Sequence, residues 1–318
     1  MADTPTSTTL ADLPGLAAAI AGSASPAVVR IGRHGGRGCG MVVADGHVLT
    51  NAHNLRDRTT EVTFADGRRA QGEVTAMDAD GDLVVLAVDT GEVGPLSWAE
   101  EVPPLGSLVV AVARAAGGGE RLTFGTVSGV ERAFRGPRGR RVTGSLEHTA
   151  PLARGSSGSA LVDVEGRLVG LNTARLGDGF YLALPADDDL RQRVEALVAG
   201  DAPRRVVLGV GLARAEVSGR LRASVGLPPR AGLLVRDVAE GSAAARAGLQ
   251  VGDLLTAVDG TELASVDDLH AALDAARTAG TVTLHLVRGT DDLDVPVFFD
   301  TEGSDTEGSD TEGSDTEG

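Results

Sequence analysis

The sequence predicts a mainly β chain in two globular parts, a barrel or sandwich of short strands followed by a small α+β module. Three observations carry that expectation. Short apolar runs recur from Pro26 to Leu184, separated by Gly/Asp turns and with no alternating helical periods between them. The 44 glycines in 318 residues suit strands and tight turns better than a helical bundle. Beyond residue 205 the pattern changes to fewer strands accompanied by two helices.

Thr9 to Ala24 reads as a short Ala/Leu helix, which makes residues 1–25 an N-terminal helical segment. Strands are expected at Ala27–Ile31, Gly40–Val43, His47–Thr50, Glu61–Phe64, Leu83–Val88, Leu108–Ala113, Leu122–Val130, Ser145–His148, Leu161–Val164, Arg167–Asn172 and Tyr181–Leu184. Ala44-Asp45-Gly46, Ala65-Asp66-Gly67 and Val164-Glu165-Gly166 are expected to join neighbours as hairpins. Asp187–Ala199 follows as an amphipathic helix, closing a first domain at residues 26–199, and residues 200–205 read as a linker. The second domain, residues 206–299, offers strands at Val206–Val210, Gly232–Val238, Asp253–Val258, Thr281–Val287 and Leu293–Phe298. Its helices are Ala243–Ala247, stopped by Gly248, and Val266–Ala279, capped by Ser265 and stopped by Gly280.

Composition narrows the function classes. The net charge of −16 is concentrated at one end: residues 300–318 repeat Thr-Glu-Gly-Ser-Asp with eight acidic groups, leaving −8 for the rest. That repeat has nothing apolar to bury and is expected to be a disordered acidic tail. The balance gives no support to nucleic-acid binding. A lone Cys39 offers neither an internal disulfide nor a zinc set, so no metal and no cofactor is called for. No segment reads as a membrane span, and residues 1–16 lack the basic and apolar regions of a secretory signal. The chain as written is therefore expected in the cytoplasm, or outside it if a leader has been removed.

Candidate chemistry centres on Gly155-Ser156-Ser157-Gly158-Ser159-Ala160-Leu161. A glycine two residues before a serine lets the backbone turn and aim two N–H groups at one point. A glycine just after it clears room for an incoming carbonyl. Ser156 competes by proximity, but only Ser157 has glycines in both places. A nucleophilic serine needs a base and a group to orient it. His53, at the end of the strand Val48-Leu49-Thr50-Asn51, is the histidine best placed for the first role. His47, His148, His270 and His285 read as surface or cross-strand residues, and His34 lies in a Gly/Arg-rich loop. Asp82 directly precedes the apolar strand Leu83-Val84-Val85-Leu86, where a partly desolvated carboxylate wants an N–H partner. Asp78 and Asp80 read as solvated turn residues.

These segments occur in the order Thr50-Asn51-Ala52-His53, Asp82-Leu83-Val84-Val85-Leu86 and the Ser157 loop, 29 and then 75 residues apart. The set resembles the trypsin-like serine proteases of the HtrA/Deg family, which carry Thr-Asn-x-His, Asp-Leu/Ile-Ala-Val-Leu and Gly-Asn-Ser-Gly-Gly at similar spacing. Gly166–Ala174 and Leu182-Ala183-Leu184-Pro185 extend the likeness. The resemblance implies a double β-barrel protease domain with Ser157 as nucleophile, His53 as general base and Asp82 fixing its tautomer. It also implies an oxyanion hole of the Gly155 and Ser157 N–H groups. Ser156 and Ser159 depart from the family pattern, replacing an asparagine and a glycine. The loop Arg175–Gly179 is short for the family, and a small aliphatic P1 residue is a family expectation.

Val207-Leu208-Gly209-Val210 resembles the carboxylate-binding loop of a PDZ domain, a resemblance strengthened by Gly241-Ser242-Ala243-Ala244 and Ala247-Gly248-Leu249-Gln250-Val251-Gly252-Asp253. Such a loop takes a peptide C-terminus whose backbone extends the sheet. Two readings of Glu131–Arg141, with its five arginines, stay open: a sensor loop coupling PDZ occupancy to the active site, or a solvated basic loop. The expected function is an ATP-independent serine endopeptidase acting on unfolded or damaged polypeptides and regulated by peptide C-termini. A catalytically silent PDZ-bearing scaffold or chaperone is the alternative, and the acidic tail as the main functional element is a third reading. The resemblance points to a homotrimer, although the N-terminal segment lacks the aromatic residues often used for that contact, so assembly stays open.

Overall fold

Alternating apolar and polar residues close into two six-stranded barrels. The computed structural model describes residues 13–33, 37–115, 119–135, 141–203, 206–213, 226, 230–275 and 279–299. The chain divides between Pro203 and Arg204 into two compact units. In the first unit, helix α1 (Leu13–Ser23) leads into β1 (Val28–Ile31), β2 (Gly38–Ala44), β3 (His47–Asn51), β4 (Thr59–Thr63), β5 (Arg69–Asp78) and β6 (Leu83–Ala87). These pair in the closed order β1-β2-β3-β6-β5-β4. The second barrel contains β7 (Leu108–Arg114), β8 (Glu120–Arg135), β9 (Arg141–His148), β10 (Ala160–Val162), β11 (Leu168–Gly177) and β12 (Phe180–Pro185). Its order is β10-β11-β12-β9-β8-β7. Helix α2 (Asp188–Val198) follows, with the Asp187 side chain accepting from the Leu190 N–H as its N-cap.

The three expected hairpins form, joining β2 to β3, β4 to β5 and β10 to β11. With eight aromatic residues in the whole chain, the cores are packed from Val, Leu, Ile and Ala. Leu49, Val62, Leu83 and Leu86 belong to a cluster that continues onto Val110, Val112, Ala160 and Leu168 of the second barrel. Val109, Ala111, Leu146, Leu161 and Ala183 form a separate cluster in the second barrel. Both barrels thus share apolar surface inside one unit.

In the first unit, one strand escapes the sequence reading altogether. β5 alternates as strictly as any strand here, but its buried positions are Gly72, Val74, Ala76 and Asp78, too small or polar to give an apolar signal. A Cβ at Gly72 would lie 3.1 Å from the Val62 side chain, a tight contact that Val62 would have to yield to. Helix α1 occupies Leu13–Ser23 of the expected Thr9–Ala24, and residues 9–12 lie outside the described residues.

The second unit, described by itself, shows one sheet with two helices among the described residues. Strands β13 (Val210–Ala213), β14 (Leu233–Val238), β15 (Leu254–Val258), β16 (Thr261–Glu262), β17 (Thr281–Arg288) and β18 (Asp291–Phe298) pair in the order β13-β14-β15-β17-β18, with β16 on β15. Helices α3 (Ala243–Arg246) and α4 (Val266–Ala275) contribute Ala244, Leu269 and Leu273 to its core. Ser265 caps α4 reciprocally with Asp268, as a capping box. The expected strand Val206–Val210 is corrected: pairing begins at Val210, because Gly209 is left-handed (φ +79°) and breaks the extended run. The Gly252-Asp253 pair has a structural reason, since buried Asp253 takes both prongs of the Arg288 guanidinium at 2.8 Å. The end of the helix at 276–278 and the acidic repeat 300–318 lie outside the described residues.

Candidate active site

Strand register brings the first two candidate residues together. β3 and β6 pair with Asn51 opposite Leu83, so the turn after β3 lies beside the residue before β6. His53 sits in that turn, a single 3-10 turn at Ala52–Asn54. Its Nδ1 lies 2.6 Å from Asp82 Oδ2, and its backbone N–H donates to Asp82 Oδ1 at 3.0 Å. The carboxylate therefore makes Nδ1 the protonated nitrogen and leaves Nε2 with its lone pair. His53 is 29 % exposed against 8 % for Asp82, so the base can be reached while its orienter cannot.

Asp82 is held in an uncommon conformation. Its φ of +57° lies in the left-handed region, tolerated by Asp and Asn more than by most residues. Its carbonyl accepts from Ala52 N–H and from Asn51 Nδ2, at 3.0 and 3.1 Å. The turn before it is tied from the other side. Asp78 is buried, accepts the Gly81 N–H at 2.9 Å, and pairs with Arg193 of α2 at 2.8 Å. This corrects the expectation of a solvated turn at Asp78: α2 packs close to the turn and closes it. Replacing Arg193 by Ala is expected to destabilise the peptidase unit by about 1–2 kcal/mol, between the values for exposed and buried pairs. Urea unfolding of the variant checks this, and an unchanged midpoint would contradict the clamp.

Ser157 comes from the loop before β10, and both barrels fix it. Its carbonyl accepts from Cys39 N–H at 2.8 Å and from Asn54 Nδ2 at 2.9 Å, both in the first barrel. Gly158 N–H donates to Asn172 O of β11 at 2.7 Å. Gly158 has φ +85°, and a Cβ there would lie 2.1 Å from the Cys39 carbonyl oxygen, so only glycine lets the loop lie this close. Ser156 and Ser157 both line a cavity of about 280 Å³, but Ser156 is buried at 4 % exposure and Ser157 only half-buried. Among the described residues, the Gly155 and Ser157 N–H groups donate to no other protein group. The Ser157 hydroxyl donates to Thr173 O at 3.1 Å, not to His53.

Thr173 is the residue the sequence reading missed. Its hydroxyl donates to Asp82 Oδ2 at 3.4 Å and accepts from Asn51 Nδ2 at 3.1 Å, while its carbonyl holds Ser157. One residue of β11 thus touches both ends of the constellation, a role that its place in the Gly166–Ala174 run does not by itself signal.

The departure at Ser159 has a partner. Fully buried Ser159 accepts from Asn172 Nδ2 at 3.0 Å, and Asn172 Oδ1 faces His148 Nε2 at 2.9 Å. His148 stacks on Tyr181 of the neighbouring strand, with ring centroids 5.7 Å apart. It is therefore a cross-strand residue but not a surface one, and burial lowers its pKa from 6.5 to about 4 despite the Asn172 bond. His285 is cross-strand with Asp294 at 2.5 Å, and His47 contacts Asp45 O. His34 and residues 136–140 of the arginine loop lie outside the described residues.

With this geometry in place, comparison with known proteins is direct. Residues 38–171 match the family described as trypsin-like peptidase domain, and residues 234–288 the PDZ domain. The chain is 27 % identical over 279 residues to the periplasmic pH-dependent serine endoprotease DegQ of Escherichia coli K12, covering 85 % of this chain and 60 % of that one. It is an HtrA/Deg-type protein. Protease Do-like 1, chloroplastic, of Arabidopsis thaliana is 30 % identical over 276 residues, covering 80 % of this chain and 61 % of that one. The HtrA/Deg chain thus spans about three fifths of the length of these curated relatives. The solved structure of the HtrA-type protease AlgW with decapeptide shares the fold, with a TM-score of 0.70 and 23 % identity over 88 % of this chain and 97 % of that one. Among the described residues, no helix is long and apolar enough to cross a membrane.

In the second unit the Val207–Val210 loop sits before the edge strand β13. Leu208 is buried and its carbonyl accepts from Ala244 N–H, while Gly209 O accepts from Ala239 N–H. A Cβ on Gly209 would lie 2.2 Å from that of Ser242, which explains the glycine. Val207, half exposed, stands outside these contacts.

Proposed function

We infer that this HtrA/Deg protein is an ATP-independent serine endopeptidase of unfolded or damaged polypeptides, with a protease domain at 26–199 and a PDZ domain at 206–299. The observation that carries the reading is the 2.6 Å His53–Asp82 pair, presented by the first barrel that also holds the Ser157 carbonyl through Asn54. Ser157 Oγ attacks the scissile carbonyl while His53 Nε2 takes its proton. The Gly155 and Ser157 N–H groups receive the developing oxyanion. His53 then protonates the leaving amine, and water hydrolyses the acyl-enzyme with His53 again as base. No step needs a nucleotide. Attack requires the hydroxyl to give up Thr173 O, so a conformational step precedes chemistry.

The Val207–Val210 loop would take a peptide C-terminal carboxylate, with the peptide backbone continuing the sheet from β13. Regulation then means that such peptides favour the conformation in which Ser157 reaches His53.

The test is labelling with a fluorophosphonate together with digestion of unfolded casein, with and without C-terminal peptides. The expected result is label on Ser157 and casein cleavage, both lost in Ser157→Ala. Label on Ser156 would overturn Ser157 as the nucleophile, and neither label nor cleavage with any peptide would leave the silent scaffold as the better reading.

A further inference from the structure

The cavity beside Ser157 has a charge that the peptidase reading does not require. Arg154 and Arg175 line it, and no carboxylate does among the described residues. Arg175 is not a freely solvated side chain. Strand register places it opposite Tyr181, its guanidinium carbon lies 5.5 Å from the Tyr181 ring centroid, and its Nη2 donates to Leu152 O on the facing wall. The guanidinium is thereby oriented across the cavity, with further N–H donors in its fork. Asn172 adds a polar group to the lining, oriented by its bonds to Ser159 and His148. His148 is neutral near pH 7, so the positive charge here belongs to the arginines.

We propose that this cavity is an S1 pocket selecting an acidic P1 residue, with Arg175 as the specificity-determining group for a P1 glutamate. The proposal rests on Ser157 being the nucleophile, since the cavity matters only as the neighbour of the attacking atom. A carboxylate entering it meets a guanidinium already held by a ring face and a backbone carbonyl, so little side-chain freedom is lost on binding. A P1 lysine or arginine meets like charge, and an aliphatic P1 leaves the fork without a new partner.

Four quenched peptides, identical but for Glu, Gln, Val or Lys at P1, test this under the conditions in which casein is digested. The Glu over Gln ratio of kcat/KM is expected to be about tenfold or more, the scale of one charge-assisted hydrogen bond, with Lys the poorest. In Arg175→Gln the ratio should fall to about one, through loss of the Glu peptide's kcat/KM, while fluorophosphonate still labels Ser157, which shows that the site is still assembled. A wild-type preference for Val, or a Glu over Gln ratio near one, would overturn the proposal. So would a ratio that survives Arg175→Gln, including one lost only in Arg154→Gln. Absence of both labelling and casein cleavage would instead remove the peptidase reading on which the proposal stands.

Discussion

Asp82→Asn is expected to lower kcat roughly 10⁴-fold with little change in KM or stability. The fold should tolerate the change, because Asn is isosteric and is the other residue that accepts a left-handed backbone such as the φ of +57° at this position. The loss is chemical. Asp82 Oδ1 accepts the His53 backbone N–H, so the oxygen of an Asn must face that donor. The amide nitrogen then takes the place of Oδ2, facing His53 Nδ1 and the Thr173 hydroxyl. It can only donate there, so Nδ1 becomes the acceptor and Nε2 carries the proton. An imidazole of that tautomer cannot take the proton of Ser157. The reverse orientation would set the amide against the His53 N–H, two donors facing each other. Steady-state kinetics on casein-derived peptides, with urea unfolding as the control, check the result. Activity within about tenfold of wild type would mean that Asp82 does not set the tautomer.

The barrels were legible because β-branched runs and Gly/Asp turns report backbone pairing locally. β5 was not, since its inward residues are Gly72, Val74, Ala76 and Asp78 and the strand is defined by what it packs against. His53, Asp82 and Ser157 stand next to strand ends and glycines, features that a linear reading detects. Thr173 and Arg193 act across 91 and 115 residues of sequence, through contacts that exist only once β11 and α2 have docked. Asp78 was misread for the same reason: it ends β5 just before the turn that its neighbours suggest, and its partner arrives from a distant helix. In the second unit, the glycine that made the Val207–Val210 motif recognisable is also what stops the strand expected there. The Ser159 departure appeared in sequence as a perturbation and in structure as one end of a buried chain reaching His148.

That chain makes the peptidase unit acid-sensitive. Asn172 Nδ2 donates to Ser159, so its Oδ1 must accept from His148 Nε2–H, and the buried Nδ1 has no hydrogen-bond partner among the described residues. Protonating Nδ1 would place a charge in the second barrel without a compensating acceptor, which is why the pKa is lowered to about 4. As pH falls through 6.5 the unfolded chain takes up a proton at this residue, whereas the folded chain does so only near 4. Between those values the unfolded state binds more protons, so the stability due to neutral His148 is complete above about pH 6.5 and lost as pH approaches 4. The shift corresponds to about 3 kcal/mol. Unfolding followed at Trp98, the only tryptophan and a residue bridged to Leu168, reports on the peptidase unit alone. Between pH 7.5 and 4, wild type is expected to lose about 3 kcal/mol more than His148→Gln, whose amide can still donate to Asn172 but does not titrate. Parallel pH curves for the two proteins would mean that His148 already exchanges protons in the folded state and that its burial does not govern acid stability.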